Sequence, residues 1–241
     1  MSKNSQNRQN RQNLLHRIVL VPAVALLGLA AAAAAHAADL SVAPIYKAPP
    51  VVAAPAYNWS GFYLGANGGG SWGTSNWDSA GSFNLSGAVA GGTAGVNWEM
   101  GHAVLGLEGD VDWSNLKGTS TAAGCPAGCT TNNDWLATVR GRAGYAFDRF
   151  LPYVTGGLAV GDIKAGTPGF TGATQTNAGW TAGGGVEFAL TNNWTAKAEY
   201  LHVDLGNMNC GFNCGGVANN NVSLKSDMVR GGVNFRFGGG N

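Results

Sequence analysis

The chain has 241 residues, of which 45% are hydrophobic and 11% charged, with 39 glycines, four cysteines and a formal net charge of +1. This length allows one domain, the absence of a basic patch argues against nucleic acid binding, and glycine without a G-X-Y period beside 10% aromatic residues indicates neither collagen nor disorder. The net charge misleads, because Lys3, Arg8, Arg11 and Arg17 precede an apolar run over 18–35 and leave with it, so that ten basic residues then face 13 acidic ones, a net of −3. The basic flank, the apolar run and the small residues of Ala35-His36-Ala37 form a secretory signal peptide over 1–37, cut between Ala37 and Ala38. Eighteen apolar residues are just long enough for a spanning helix, but Pro22, the basic flank and the small-residue ending favour cleavage. No Arg-Arg pair and no cysteine near the cut suggest twin-arginine export or lipoprotein anchoring. Residues 38–57 follow, with Pro44, Pro49, Pro50 and Pro55 among alanines and valines, and read as an extended periplasmic linker.

Eight segments of period-two alternation come next, at 59–70, 86–98, 103–113, 135–147, 151–161, 178–190, 194–203 and 222–237, each near the length of about ten residues that a tilted membrane strand needs. In the third, Leu105, Leu107, Val111 and Trp113 share one face and Glu108, Asp110 and Asp112 the other. In the fourth, Ala137, Val139, Ala143 and Tyr145 oppose Arg140 and Arg142. A soluble sandwich hides its apolar face, whereas an apolar and aromatic face backed by charges is the pattern of a strand between lipid and a polar lumen. The later polar faces add Glu187, Lys197, Glu199, Arg230 and Arg236, which brings the inner charges to five acids and five bases. Turning an Arg or Lys onto lipid costs about 2–4 kcal/mol at the midplane, so a register with the charges inward is strongly preferred. The fold class is therefore all-β, an eight-stranded antiparallel up-and-down transmembrane β-barrel over 58–237, with a short tail at 238–241. Its interior is just wide enough for side chains, and buried charges must pair, so the ten charges read as a salt-bridge plug; a conducting or catalytic lumen is the alternative.

Connector lengths alternate, long at 71–85, 114–134, 162–177 and 204–221 and short at 99–102, 148–150 and 191–193. Outer-membrane barrels have long external loops and short periplasmic turns, which places both termini in the periplasm. The aromatics then sort into two belts: Phe62, Trp98, Phe147, Phe188, Trp194 and Phe237 at the periplasmic ends, and Trp113, Trp135 and Trp180 at the outer ends.

Asp110 and Asp112 share a face two residues apart and could do acid–base work, but the cations nearby favour permanent ionisation. His202 and Asp204 share the outward face at the outer end of the seventh segment, an arrangement similar to that of lipid-modifying barrel enzymes, yet no serine stands two residues on; an interfacial histidine is the simpler reading. No phosphate loop or metalloprotease signature is present, and no cofactor is expected. Cys125 with Cys129 and Cys210 with Cys214 are both C-x-x-x-C pairs in long loops, exposed to an oxidising compartment after export. Of three connectivities, two local bridges are favoured because the loops rise from opposite sides of the barrel; a zinc site of four thiolates is the alternative.

The opening Asn58-Trp59-Ser60-Gly61-Phe62-Tyr63-Leu64-Gly65, after an Ala38-Asp39-Leu40 start, and the closing Val229-Arg230-Gly231-Gly232-Val233-Asn234-Phe235-Arg236-Phe237 resemble the small outer-membrane β-barrel proteins of alphaproteobacteria known as outer-membrane immunogenic or porin-like surface proteins. The resemblance covers signal, linker and barrel. It implies a surface antigen with porin-like character, set among outer-membrane lipid and lipopolysaccharide, and a final aromatic read by the barrel-insertion machinery; here Gly238-Gly239-Gly240-Asn241 follow that aromatic. The expected function is that of a non-enzymatic envelope protein displaying four external loops, with a narrow porin-like channel or a lipid-A-modifying enzyme as alternatives. N-terminal sequencing of the exported protein should begin at Ala38; a chain that retains residues 1–37 would refute the processing site.

Overall fold

The computed structural model describes residues 56–121, 127–214 and 221–237. The expected cleavage site at Ala37 and Ala38, nearly all of the linker, Cys125 and the tail at 238–241 lie outside them.

Eight strands follow in chain order: β1 (Gly61–Trp77), β2 (Gly81–Met100), β3 (Ala103–Ser120), β4 (Cys129–Tyr145), β5 (Phe150–Gly166), β6 (Ala173–Ala189), β7 (Trp194–Asn209) and β8 (Asn221–Phe237). Each pairs antiparallel with its neighbour, and β8 returns to β1 with Phe62 opposite Phe237, closing the barrel. Closure leaves no unpaired edge, which is what allows β-structure to cross hydrocarbon. Leu64, Leu105, Leu107, Val111, Val139, Val154, Leu158, Val229 and Val233 are exposed on the outer wall, as the alternation requires.

The strands run to between 16 and 20 residues, and all but β8, which starts at Asn221 as expected to within one residue, are several residues longer than the expected segments. The four long loops are corrected accordingly. Most of 71–85 is strand, with β1 and β2 joined through 78–80 alone, and β5 and β6 are joined through 167–172. The cause is an inversion of the alternation at mid-barrel. In β3 Asp110 and Asp112 point inward, but beyond the register shift between Trp113 and Leu116 it is Leu116 that is buried while Asn115 and Lys117 are exposed. In β8 Arg230 is buried inside, and further along Met228, Leu224 and Val222 take the inward positions while Lys225 faces out. A search for apolar outer faces stops at that inversion.

The interior is consequently layered. At the end where the chain enters and leaves, Trp59, Tyr57, Val104, Ala146, Leu151 and Ala189 form a small apolar cluster. The charged residues occupy the middle. Above them a larger apolar cluster contains Trp77, Leu85, Leu116, Leu136, Ile163, Leu201, Met208 and Leu224, together with Cys129, Cys210 and Cys214. Cys210 is bonded to Cys214, and Cys129 is likewise disulfide-bonded. All three described cysteines are buried in this one cluster. Cys129 Sγ lies 3.9 Å from Thr167 Oγ1 and Cys214 Sγ 3.4 Å from the Ala165 carbonyl oxygen, so both meet the end of β5. The Gly172 N–H donates to the Asn213 carbonyl at 3.2 Å, tying two far-end connections to each other.

If this upper cluster is a true core, Leu116→Ala should destabilise the folded protein by about 2–5 kcal/mol, the range for a buried leucine, while Lys117→Ala beside it changes little. Equal denaturant midpoints for the two variants would contradict the layering.

Candidate functional site, the charged lumen

Three acids two residues apart on β3 all project into the lumen, and the β3–β4 register sets Arg140 directly opposite Glu108. Arg140 donates through Nη2 to Glu108 Oε1 at 2.5 Å and Asp110 Oδ2 at 2.9 Å, and through Nη1 to both oxygens of Glu199, at 3.0 and 2.8 Å, on β7 across the lumen. Arg142 donates to Glu187 Oε2 at 2.7 Å and lies over the Tyr153 ring, 4.0 Å from its centroid. Lys197 donates to Glu108 Oε2 at 2.9 Å. Arg230 Nη1 serves Asp110 Oδ1 at 2.7 Å and also Asp112 Oδ2. These side chains are almost wholly buried. Inward glycines make room for them: a Cβ at Gly91 would lie 2.2 Å from Asp112 Oδ1, and one at Gly69 2.9 Å from the Arg230 Cβ.

A neutral sheath completes the layer. Tyr63 donates to Glu108 at 2.8 Å, Thr138 to Asp110 at 2.6 Å, Thr195 to Glu187 at 2.6 Å and Asn234 to Glu187 at 3.0 Å. Sequence reasoning placed Asn234 on the inner face but passed over Tyr63, Thr138 and Thr195, although the last two share the inward parity of the charges on their own strands. It also could not pair Arg140 with Glu199, because strand spacing in the chain says nothing about contacts across a lumen.

One charge leaves the group. Arg236, expected among the lumen ion pairs, donates instead to the carbonyls of Asn58 at 2.8 Å and Ser60 at 2.7 Å, and lies over the rings of Tyr57 and Trp59. It sits at the end of the barrel where residues 56–60 fold across the mouth and bring their carbonyls within reach. Trp59 is held there by Nε1 donating to the Asp148 carbonyl at 2.8 Å and by its N–H to Glu99 Oε2 at 2.7 Å, and the Tyr57 N–H donates to Asp148 Oδ1 at 2.9 Å. Tyr57, assigned to the linker on sequence, therefore belongs to this plug, and burial pushes its hydroxyl pKa up.

On the outer wall Phe62, Trp98, Phe147, Phe188, Trp194 and Phe237 are exposed around the terminal end. Toward the far end Trp113 and Trp180 are exposed and Trp135 is half-buried. Trp72 is exposed there as well and was hidden within an expected loop. His202 Nδ1 lies 2.8 Å from Asp227 Oδ1, while Asp204 pairs with Lys225 at 3.1 Å; Asp227 also accepts from the Tyr200 hydroxyl at 2.6 Å. Thus His202 and Asp204 share a face without sharing a bond. Among the described residues no group of three or more His, Cys, Asp and Glu side chains is placed to hold a metal ion.

Removing one partner of a buried pair strands the other charge, at a typical cost of about 3–5 kcal/mol. Arg140→Ala, which leaves Glu108, Asp110 and Glu199 short of a partner, should lower the unfolding free energy by about that much, whereas Lys164→Ala at the exposed Asp134 pair should change it little. Similar losses in urea titrations of both variants would show a lumen wet enough to screen its charges.

Residues 22–237 match the family described as outer membrane protein beta-barrel domain. The 31 kDa outer-membrane immunogenic protein of Brucella melitensis biotype 1 is 35% identical over 218 residues, covering 79% of this chain and 88% of the relative. The 22 kDa outer membrane protein of Rhizobium leguminosarum bv. viciae is 38% identical over 154 residues, 62% of this chain and 66% of the relative. Among solved structures, Neisserial surface protein A aligns with a TM-score of 0.44 and 20% identity, covering 74% of this chain and 98% of the other. The closed barrel with its inward charges and the extent of these sequence matches lead to one conclusion: the chain belongs to the outer membrane protein β-barrel family, with the outer-membrane immunogenic proteins of alphaproteobacteria as its relatives.

Proposed function

We propose that this protein is a non-enzymatic integral barrel of the outer membrane that stabilises the envelope, displays the far-end connections as surface antigen and keeps its lumen shut to solutes. The buried ion network carries this reading. Arg140, with no exposed side-chain surface, reaches from β4 to Glu199 on β7, so charged groups bridge the full width of the lumen where a pore would need water. The start of β1 and the end of β8 are at the same end of the barrel as the short connections at 101–102, 146–149 and 190–193, the periplasmic side in this reading, and the remaining connections face outward. The exposed aromatic rings mark the two headgroup levels. Lipid and lipopolysaccharide surround the wall, and the insertion machinery acts on the chain during biogenesis. The names of the relatives as immunogenic proteins support the antigen role.

In planar bilayers the refolded protein should give no stepwise conductance, with lipid A from a deletion strain unchanged in mass. Reproducible single-channel steps would replace this reading with that of a narrow porin-like channel, and an altered lipid A mass with that of an enzyme.

A further inference from the structure

The lumen charges do not balance. The connected ion pairs join five carboxylates, Glu108, Asp110, Asp112, Glu187 and Glu199, to four cations, Arg140, Arg142, Lys197 and Arg230. The fifth cation, Arg236, is held at the mouth by backbone carbonyls, where Glu99 also binds the Trp59 N–H. The network is therefore left with one excess negative charge. A buried charge without compensation is strongly disfavoured and draws a proton or a counter-ion.

The excess falls on Asp112. Glu108 has three cationic neighbours, in Arg140, Arg142 and Lys197. Asp110 and Glu199 each contact both Arg140 and Arg230. Glu187 has Arg142 and two neutral donors, Thr195 and Asn234. Asp112 has only Arg230, through the same Nη1 that serves Asp110. Its second oxygen, Oδ1, is buried and has no hydrogen-bond partner among the described residues. That oxygen lies against Gly91 on β2, whose register partner on β1 is Asn67. Asn67 points inward with 8% exposure, and both of its amide atoms lack partners, as does the buried Thr93 hydroxyl two residues beyond Gly91.

Asp112 Oδ1, the Asn67 amide and the Thr93 hydroxyl thus form a polar niche in the wall of β1, β2 and β3. We propose that this niche holds one further unit of positive charge at Asp112, either a proton shared with Asp110 or an alkali-metal ion ligated by the Asp112, Asn67 and Thr93 oxygens. A divalent ion would overshoot a single excess charge. The groups packed around the carboxyl pair are Asn67 from β1, Thr93 from β2, Thr138 and Arg140 from β4, Glu199 from β7 and Arg230 from β8, and of these only the arginines and Glu199 are charged.

The test compares folded wild type, Asp112→Asn and Asp110→Asn in detergent micelles. Asp112→Asn removes the excess charge while keeping the shape of the side chain, so it should unfold at or above the wild-type midpoint, whereas Asp110→Asn, stripped of two ion pairs, should unfold below it. For a bound proton, the wild type shows at neutral pH an infrared carboxylic-acid carbonyl band that Asp112→Asn lacks. For an alkali ion, that band is missing and the wild-type midpoint falls when sodium and potassium are replaced by choline at constant ionic strength, while Asp112→Asn is indifferent. A wild type with neither acid band nor cation dependence, or an Asp112→Asn variant as destabilised as Asp110→Asn, would overturn the proposal.

Discussion

Hydrocarbon accepts no unpaired backbone and no unpaired charge, so a strand that crosses it must close into a barrel and turn every polar side chain to the inside. In an eight-stranded barrel that inside is barely wider than the side chains themselves. Both consequences meet in the middle layer of this protein. Five acids and four bases have nowhere to go but toward one another, and Arg140 touches Glu108, Asp110 and Glu199 at once because the lumen is too narrow to keep β3, β4 and β7 apart. Guanidinium suits this role better than ammonium, since its planar fork satisfies several carboxylates from one position.

The constraint reverses where the wall leaves the lipid. Past Trp113 on β3 and past Val229 on β8 the outer positions become Asn115, Lys117 and Lys225, and the inner ones Leu116, Leu224 and Val222. The far half of the barrel is then an ordinary soluble β-structure wrapped around an apolar core, continuous with the membrane half through the same strands. The disulfide between Cys210 and Cys214 adds to that core from inside. The charged layer lies between the two apolar clusters, with Trp59 in the one at the end where the chain enters and Trp77 in the other.

This reversal also marks how far the fold was legible in the sequence. Period-two alternation identified all eight strands and the lipid-facing phase of those that carry inner charges, because inside the membrane the pattern has one meaning. Trp77, Leu85 and Leu205 were taken as loop because, beyond the membrane, the buried apolar residues stand on the opposite parity. Of the lumen residues, the charges were legible from the energetic cost of facing lipid, but Tyr63, Thr138 and Thr195 were not, since neutral polar residues are tolerated on either face. Arg236 was assigned to the ion pairs by parity alone; only the fold of residues 56–60 across the mouth shows that backbone carbonyls reach it first.

The central claim is that the charged layer is dry and closes the barrel to solutes from both sides. Thr138 lies in that layer, buried beside Asp110, and cysteine is close to it in size. The most direct test introduces Thr138→Cys into the protein in liposomes, with its native cysteines oxidised, and applies a small membrane-impermeant thiol reagent first from one side and then from the other. A sealed lumen predicts no labelling from either side until the protein is unfolded, whereas labelling of the folded protein at a rate near that of an exposed cysteine at Thr74 would contradict it.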